Sequence, residues 1–255
     1  MNTASAASPF PRFKAITPQR AFEEIATQIR GLVASGQLRP GDRLPPEREL
    51  ASMFKVSRNT LREALRALEL AGMIESRKGA GGGAFVRPGS GHVVVGGMRD
   101  LYHLGTITPE HLTEARVWLS ELVVRVACER ADDDDFAALQ ANVEATMRAD
   151  AAGDFDERQR LNREFHLILA RATRNPIIAI TMEAVMEVLG HFIAQIGPSS
   201  NPFTLPSRER FLRHLRSRNA DAAVAEMSQF LKEMQDAYLA RWNALGPVDA
   251  AARRA

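Results

Sequence analysis

An amide and an imidazole lie four residues apart in the stretch LNREFH, at Asn162 and His166. Residues at this spacing share one face of a helix, so both side chains can contact one bound object. An aspartate at position 162 would complete a strong pair of metal ligands. Asparagine offers a neutral carbonyl oxygen, which binds a transition metal much more weakly. The pair alone therefore leaves open a metal site and a site for an organic ligand.

Two arginines near the other end of the chain, Arg58 and Arg62, are one helical turn apart. They lie on the polar arc of a predicted helix whose opposite arc carries Leu61, Leu65 and Leu68. Arginine can bond guanine O6 and N7 with two parallel hydrogen bonds when a helix enters the major groove of DNA. The apolar arc predicts packing, and the polar arc predicts contact with DNA bases and phosphates.

The charge distribution supports a nucleic-acid partner for the front of the chain. Residues 1–90 carry 14 Lys and Arg against 8 Asp and Glu, whereas residues 91–255 carry 19 against 23. A basic segment of this kind is typical of a domain that binds an anionic polymer. The single cysteine, Cys128, excludes a disulfide framework within one chain. Together with the lack of an apolar run near 20 residues, this predicts a cytoplasmic protein with no membrane partner.

The N-terminal elements follow the order helix, helix, helix, hairpin. Proline, glycine and serine signals predict helices over 18–34, 46–54 and 58–71, and the short apolar pieces MIES and GAFV predict a two-stranded hairpin. This order predicts a winged helix-turn-helix over 18–88, after a disordered tail at 1–17.

Beyond residue 91 the sequence is predicted to be almost entirely helical. A linker and short connecting segment is expected at 89–108, an all-α ligand-binding domain at 109–245 and a tail at 246–255. The fold class is therefore mainly α, with a winged helix-turn-helix followed by an antiparallel helical bundle. Within the bundle, 3.6-residue apolar spacing predicts six helices, over 109–131, 133–152, 155–173, 176–196, 207–218 and 220–244.

Two motifs suggest calcium binding and dinucleotide binding. The four aspartates Asp132–Asp135 suggest calcium, but acidic residues at a helix N-terminus complement the helix dipole, and this explanation is preferred. The run Gly79–Ala84 satisfies the pattern G-x-G-x-x-G/A for dinucleotides, yet that motif needs a helix directly after it. FVRPGSG follows instead, so a hairpin tip that approaches DNA closely is predicted.

The string LPPERELASMFKVSRNTLREALRALELAGMIESRKGAGGGAFV, at 44–86, resembles the winged helix-turn-helix of the GntR family of bacterial regulators. The resemblance implies that Arg48, in the short second helix, contacts the DNA backbone or bases. It implies that Lys78 and Gly79 place the wing tip near the minor groove. The implied recognition surface consists of Ser57, Arg58, Asn59, Thr60 and Arg62.

The second block resembles the FCD effector domain of the FadR subgroup, through EARVWLSELVVRVACERA, NREFHLILARATRNPII and FLRHLRSRNADAAVAEMSQFL. In that family the helices enclose a cavity for a small organic acid or similar metabolite, and many members hold a divalent metal through one aspartate and three histidines. Carried over one at a time, these positions fall on Asn162, His166, Arg208 and Phe230. One of the four ligands is retained, and neither His191 nor His214 lies where it would obviously replace a missing one.

The substitutions favour a metal-free site. An arginine can bind a carboxylate directly through a bidentate pair, and a guanidinium repels a metal cation. The hypothesis is that Asn162, His166, Arg208 and also Arg116, at the family's arginine position, contact an anionic metabolite, with Phe230 as an apolar wall. The opposing explanation for Arg208 is plain exposure at a helix start. Ser120 stands where many family members have a glutamate.

These observations predict a homodimeric, ligand-responsive repressor of a metabolic operon that reads a palindromic operator and needs no cofactor. Two alternatives stay open at the level of the sequence. One is a regulator that binds a divalent metal together with an organic acid. The other is an enzyme that uses His166 as a general base, against which the sequence offers no nucleophile motif or paired carboxylates around that histidine.

Overall fold

The computed structural model of the chain describes residues 18–79, 81–197 and 204–245, which form two compact units divided between residues 90 and 91. The tails predicted at 1–17 and 246–255 lie outside the described residues. The elements of the first unit are α1 (Pro18–Ala34), α2 (Glu47–Phe54), α3 (Arg58–Leu70), β1 (Ile74–Arg77) and β2 (Gly83–Val86).

The first unit is organised around the apolar arc of α3. Leu61 and Leu68 are fully buried, and Ile74 of β1 is buried with them. The helix starts at a defined point because the Ser57 hydroxyl caps it, accepting a hydrogen bond from the Thr60 amide at 3.1 Å. The apolar arc thus holds α3 against α1 and the hairpin, and the polar arc stays in solvent.

The hairpin that follows is antiparallel, with Ile74 opposite Val86 and Arg77 opposite Gly83. Its tip needs glycine, because a Cβ atom on Gly82 would lie 2.4 Å from the Arg77 carbonyl oxygen. A strand follows the glycines, where a dinucleotide motif requires a helix. The glycine-rich run is therefore the turn of the predicted wing.

The second unit is an all-α bundle within its described residues, so the predicted fold class is confirmed. The predicted helices appear with end shifts of up to three residues, the largest at the start of α9. The elements are α4 (His92–His103), α5 (Pro109–Arg130), α6 (Asp133–Ala151), α7 (Phe155–Ala172), α8 (Pro176–Ile196), α9 (Thr204–Arg216) and α10 (Ala220–Ala244).

Helix α4 lies in the segment that was expected to be a linker. Its sequence contains Gly96 and Gly97, which lower helix propensity by about 1 kcal/mol each relative to alanine. Packing against α8 compensates, since Tyr102 is fully buried and its hydroxyl donates to Gln195 Oε1 at 3.0 Å. Tertiary contacts therefore determine this helix, and local propensity does not.

Contrary to the prediction that no apolar run approaches 20 residues, helix α8 has the length and hydropathy of a membrane span. Nine of its residues are buried, among them Leu189 and Phe192 in the centre of the bundle. An apolar helix surrounded by other helices needs no lipid to cover it. The helix is thus the central element against which the other helices of the second unit, hereafter the effector unit, pack.

The four aspartates begin α6. Asp132 and Asp135 form a reciprocal capping box, and both carboxylates pair with Arg174, at 2.5 and 2.8 Å. The groups are therefore used for capping and ion pairing, as the helix-dipole explanation predicts.

Replacing Gly82 with alanine should distort the wing, because the new methyl group would meet backbone atoms that cannot move aside. We expect the first unit to lose about 1–3 kcal/mol of unfolding free energy. Gly81→Ala is the control, since a Cβ atom there meets nothing within 4 Å. Urea unfolding followed by circular dichroism measures the difference, and equal stability of the two variants would contradict the steric argument.

Candidate functional site

Five helices of the effector unit, α5 and α7 to α10, enclose a cavity of about 320 Å³, hereafter the effector cavity. Four of the five residues predicted to contact a ligand line it: Arg116 from α5, Asn162 from α7, Arg208 from α9 and Phe230 from α10. They are separated by up to 114 positions in the chain, so only the bundle brings them together. The volume lies within the range of small-molecule sites in proteins.

Arg208 is buried, with 5% of its surface exposed. Helix α9 starts at Thr204 and not near 207, which places Arg208 in the second turn, facing inward. Its guanidinium carbon lies 4.2 Å from the centre of the Phe165 ring, and Nη1 donates to Thr146 Oγ1 at 3.3 Å. Burial, with Arg116 nearby, lowers the pKa of Arg208 to about 9, so the group is still charged at pH 7. The opposing explanation, exposure at a helix start, is therefore wrong.

Arg116 and His166 form a buried pair, with Nη2 and Nε2 3.0 Å apart. A guanidinium only donates hydrogen bonds, so the imidazole nitrogen must accept, and the ring proton is assigned to Nδ1. Burial, with the charges of Arg116 and Arg208, holds the pKa of His166 well below its ordinary value. His166 is not among the described residues that line the cavity. It accepts a hydrogen bond from Arg116 and so fixes the position of that guanidinium.

The cations around the effector cavity differ in their partners. Three arginines of α7 line the cavity and are each paired with a carboxylate: Arg158 with Asp150, Arg160 with Glu157 and Arg163 with Glu187. Neither Arg116 nor Arg208 has a carboxylate partner within 18–79, 81–197 and 204–245. In addition, Arg116 Nε and Asn162 Oδ1 are buried without a hydrogen-bond partner in that part of the chain. The cavity therefore presents two uncompensated positive charges.

These side chains do not fit a divalent metal. At the four positions that the family resemblance assigns to metal ligands, Asn162 offers an amide, His166 is engaged by Arg116, and neither Arg208 nor Phe230 provides an atom that coordinates a cation. The described residues contain no group of three or more His, Cys, Asp or Glu side chains arranged to hold an ion. His191 and His214 lie elsewhere than in the described lining. A guanidinium beside the cavity also repels a cation.

The polar arc of α3 is the candidate nucleic-acid surface. Arg58 and Asn59 are exposed at its N-terminal end. The hydroxyls of Ser57 and Thr60 lie 2.9 Å apart in the helix cap, so both serve the start of the helix as well as any phosphate contact. The structure thus places the arginine and the amide towards solvent, where a base edge can be reached.

Arg62, one turn further along, is already engaged. Its Nε donates to Glu47 Oε2 at 2.8 Å, and both side chains are about half exposed. Exposed ion pairs of this kind contribute little, so DNA can replace the carboxylate at small cost. Arg48 is exposed on α2, and Lys78 and Gly79 are exposed at the tip of the hairpin.

The sequence analysis missed Arg43 and Arg77 on the same unit. Both guanidinium groups stack on Phe85 of the hairpin, at 5.9 and 4.3 Å from the ring centre, and Arg43 also donates to the Gly82 carbonyl. Arg43 lies in a stretch that was interpreted only as a proline and glycine turn. The available signal was Phe85, an aromatic residue with Arg77, Lys78 and Arg87 close to it in the chain.

Both blocks of the chain match known family models. Residues 21–86 match the gntR family of bacterial regulatory proteins, and residues 111–233 match the FCD domain. A solved structure described as Streptococcus agalactiae GntR superposes with a TM-score of 0.67 at 23% identity, covering 85% of this chain and 99% of that one.

Curated relatives are regulators of transcription. An HTH-type transcriptional regulator of Mycobacterium tuberculosis is 34% identical over 68% of this chain and 69% of its own length. The Uxu operon transcriptional regulator of Escherichia coli is 32% identical over 64% of this chain and 63% of its own length. The transcriptional repressor NanR of Klebsiella aerogenes is 26% identical over 92% and 90%.

The buried imidazole should make the effector unit sensitive to acid. Unfolding frees His166 to take up a proton below its ordinary pKa of about 6.5, so stability present above that pH is lost as the pH falls. We expect wild-type protein to lose roughly 1.4 kcal/mol per pH unit more than His166→Gln below pH 6.5.

Urea unfolding can follow this unit alone, because both tryptophans, Trp118 and Trp242, belong to it. The exposed His111 on α5 supplies the control variant His111→Gln, which should behave like wild type. If the unfolding free energies of wild type and His166→Gln fall in parallel below pH 6.5, then His166 does not remain neutral in the folded protein.

Proposed function

Because the chain belongs to the GntR family of bacterial regulatory proteins and carries an FCD domain, it is a DNA-binding transcriptional regulator, and we propose that it senses a small anionic metabolite. In this proposal the metabolite binds in the effector cavity without a metal. The protein acts as a repressor of a metabolic operon in the cytoplasm.

The observation that carries the proposal is the burial of Arg116 and Arg208 without a carboxylate. Charged side chains are almost never buried unless they are paired, because an isolated charge in the interior loses its hydration. A carboxylate or other anion between the two groups supplies the missing charge, and a guanidinium binds it through two parallel hydrogen bonds. Asn162 then provides a polar contact beside the anion. The hydrogen bonds that the guanidinium groups can donate and their unpaired positive charges thus both favour an anionic ligand.

Helix α8 supports a link between the cavity and the DNA-binding unit. It lines the effector cavity and packs against α4, the first helix after residue 90. A ligand that contacts α8 differently in two arrangements of the protein shifts the population between them by its difference in affinity. In the proposal, this shift controls whether the DNA-binding units can bind the operator.

A homodimer accounts for two further features of the proposal. Two copies related by a two-fold axis read a palindromic operator, one half-site each. On α5, Trp118 and Leu122 are 61% and 50% exposed and lie one turn apart, an apolar pair that suits contact with a second protein surface. The relative named as a repressor, NanR of Klebsiella aerogenes, aligns over nearly the whole chain and supports repression as the mode of action.

The metal-dependent alternative has weaker support, because its four ligand positions hold a single imidazole that is engaged by Arg116. Elemental analysis of protein purified without a chelator tests it, and near-stoichiometric zinc, nickel or manganese would favour that alternative. The enzyme alternative is not supported, since the family and the relatives are regulators of transcription.

Arg208→Met should separate folding from sensing. The variant removes a buried, uncompensated charge and keeps most of the volume, so the effector unit without ligand should gain about 1–4 kcal/mol of unfolding free energy. It should also lose the rise in melting temperature that small carboxylates cause in wild-type protein.

Thermal unfolding with citrate, hexanoate and gluconate, followed by tryptophan fluorescence, measures both effects. Arg171→Met is the matched control, because Arg171 is exposed on α7 and paired with Glu164. If Arg208→Met is less stable and responds to carboxylates as wild type does, the anion site is not at Arg208.

Arg58→Ala should weaken binding to specific DNA by about 1–3 kcal/mol, because Arg58 is exposed at the end of α3 that is proposed to contact bases. Fluorescence anisotropy at one fixed salt concentration measures the loss, with an operator selected from a random duplex pool. Arg66→Ala, further along the exposed arc of α3, is the control and should lose less. Equal losses would contradict a base contact by Arg58.

A further inference from the structure

The walls of the effector cavity differ in chemistry. Helices α8 and α10 contribute an apolar side: Met186, Leu189, Ile193, Phe230 and Met234. Helix α7 contributes polar side chains, whose arginines are already paired with carboxylates. Beyond the Arg116 and Arg208 end, the cavity therefore offers a ligand an apolar side formed by α8 and α10, and a polar side formed by α7.

Gly190 lies in the apolar side, within the helical stretch of α8. It is flanked in the lining by Met186 one turn before it and Ala194 one turn after it. A Cβ atom built on Gly190 meets nothing within 4 Å, and its backbone has no positive φ that would require glycine. The residue is therefore not needed for the conformation of the helix or to avoid a clash within the described residues.

A glycine within a helix lowers stability relative to alanine, and Gly190 differs from the exposed helical Gly97 in that it lines the cavity. The missing side chain widens the cavity at this point. From Met186 to Ile193 the lining of α8 extends over roughly 10 Å at 1.5 Å per residue. The cavity volume of 320 Å³ is also roughly ten times the 30 Å³ of one water molecule. A carboxylate group alone would leave most of this space empty.

We propose that the effector is an amphipathic monocarboxylate whose apolar body, of roughly half a dozen carbon atoms, lies along α8, and that Gly190 determines how large this body can be. The inference rests on the proposed function, because Arg116 and Arg208 hold the carboxylate. It adds a class of ligand and a residue that determines specificity. A polyhydroxylated acid of the same length would leave those hydroxyl groups that face α8 and α10 against Met186, Leu189 and Phe230 without hydrogen-bond partners.

The chain-length dependence of binding tests the ligand class. The full chain is titrated with straight-chain carboxylates from butyrate to decanoate, and with gluconate as the hydroxylated counterpart of hexanoate. Affinity should rise about fourfold for each added methylene until the cavity is filled, as expected for burial of one CH₂ group. Gluconate should bind at least tenfold more weakly than hexanoate, since its unpaired hydroxyls cost free energy.

Two substitutions at Gly190 test the role of the residue. Gly190→Ala should raise the melting temperature of the effector unit, because alanine favours the helix. Gly190→Leu should shift the best chain length to a shorter acid and weaken octanoate at least tenfold, while butyrate binds as before because both arginines are unchanged. Gly97→Leu is the control: Gly97 is exposed in α4 with nothing within 4 Å of a Cβ atom, and its chain-length profile should match wild type.

The outcomes distinguish this inference from the proposed function. If gluconate binds as tightly as hexanoate, or if Gly190→Leu keeps the wild-type chain-length profile, the apolar ligand class and the role of Gly190 are wrong while the anion site stands. If no carboxylate binds and Arg208→Met changes neither stability nor ligand response, the proposed anion site itself fails.

Discussion

The effector unit depends on how it accommodates two buried guanidinium groups. Burial, with the like charge of Arg116, lowers the pKa of Arg208, and both groups line the cavity without a carboxylate partner from the described chain. The folded protein reduces the cost in four ways: His166 and Tyr238 accept from Arg116, the Phe165 ring covers Arg208, and Thr146 accepts a hydrogen bond from Arg208. What remains is a positive potential at the Arg116 and Arg208 end of the cavity, and the proposed anionic ligand would offset it.

The same constraint gives His166, a metal-ligand position by the family resemblance, a different role in this structure. His166 keeps the residue type, but its Nε2 is directed at Arg116 and its pKa is lowered by burial and by two nearby cations. An imidazole that accepts from a guanidinium has no lone pair left at Nε2 for a metal. In this structure the residue thus supports Arg116 through a hydrogen bond.

Much of the fold could be predicted because the signals are local. Ser57 caps α3, Asp132 and Asp135 cap α6, and apolar spacing marks the long helices, so the predicted limits of these elements were close to those observed. Helix α4 was missed because its glycines lower its propensity and its stability comes from Tyr102 packing on α8. Helix α9 begins three residues earlier than expected, and this shift moved Arg208 from a predicted helix start to a buried second turn.

The sequence by itself determined the class of the protein, since charge asymmetry, helix signals and motif spacing are properties of neighbouring residues. The family resemblance also identified candidate residues around a cavity, but the sequence did not show which of their side chains line it. Only the tertiary structure decided that Arg116, Asn162, Arg208 and Phe230 meet in one cavity while His166 stands behind it. The physical reason is that burial and charge compensation depend on the packing of five helices, which bring together residues more than a hundred positions apart.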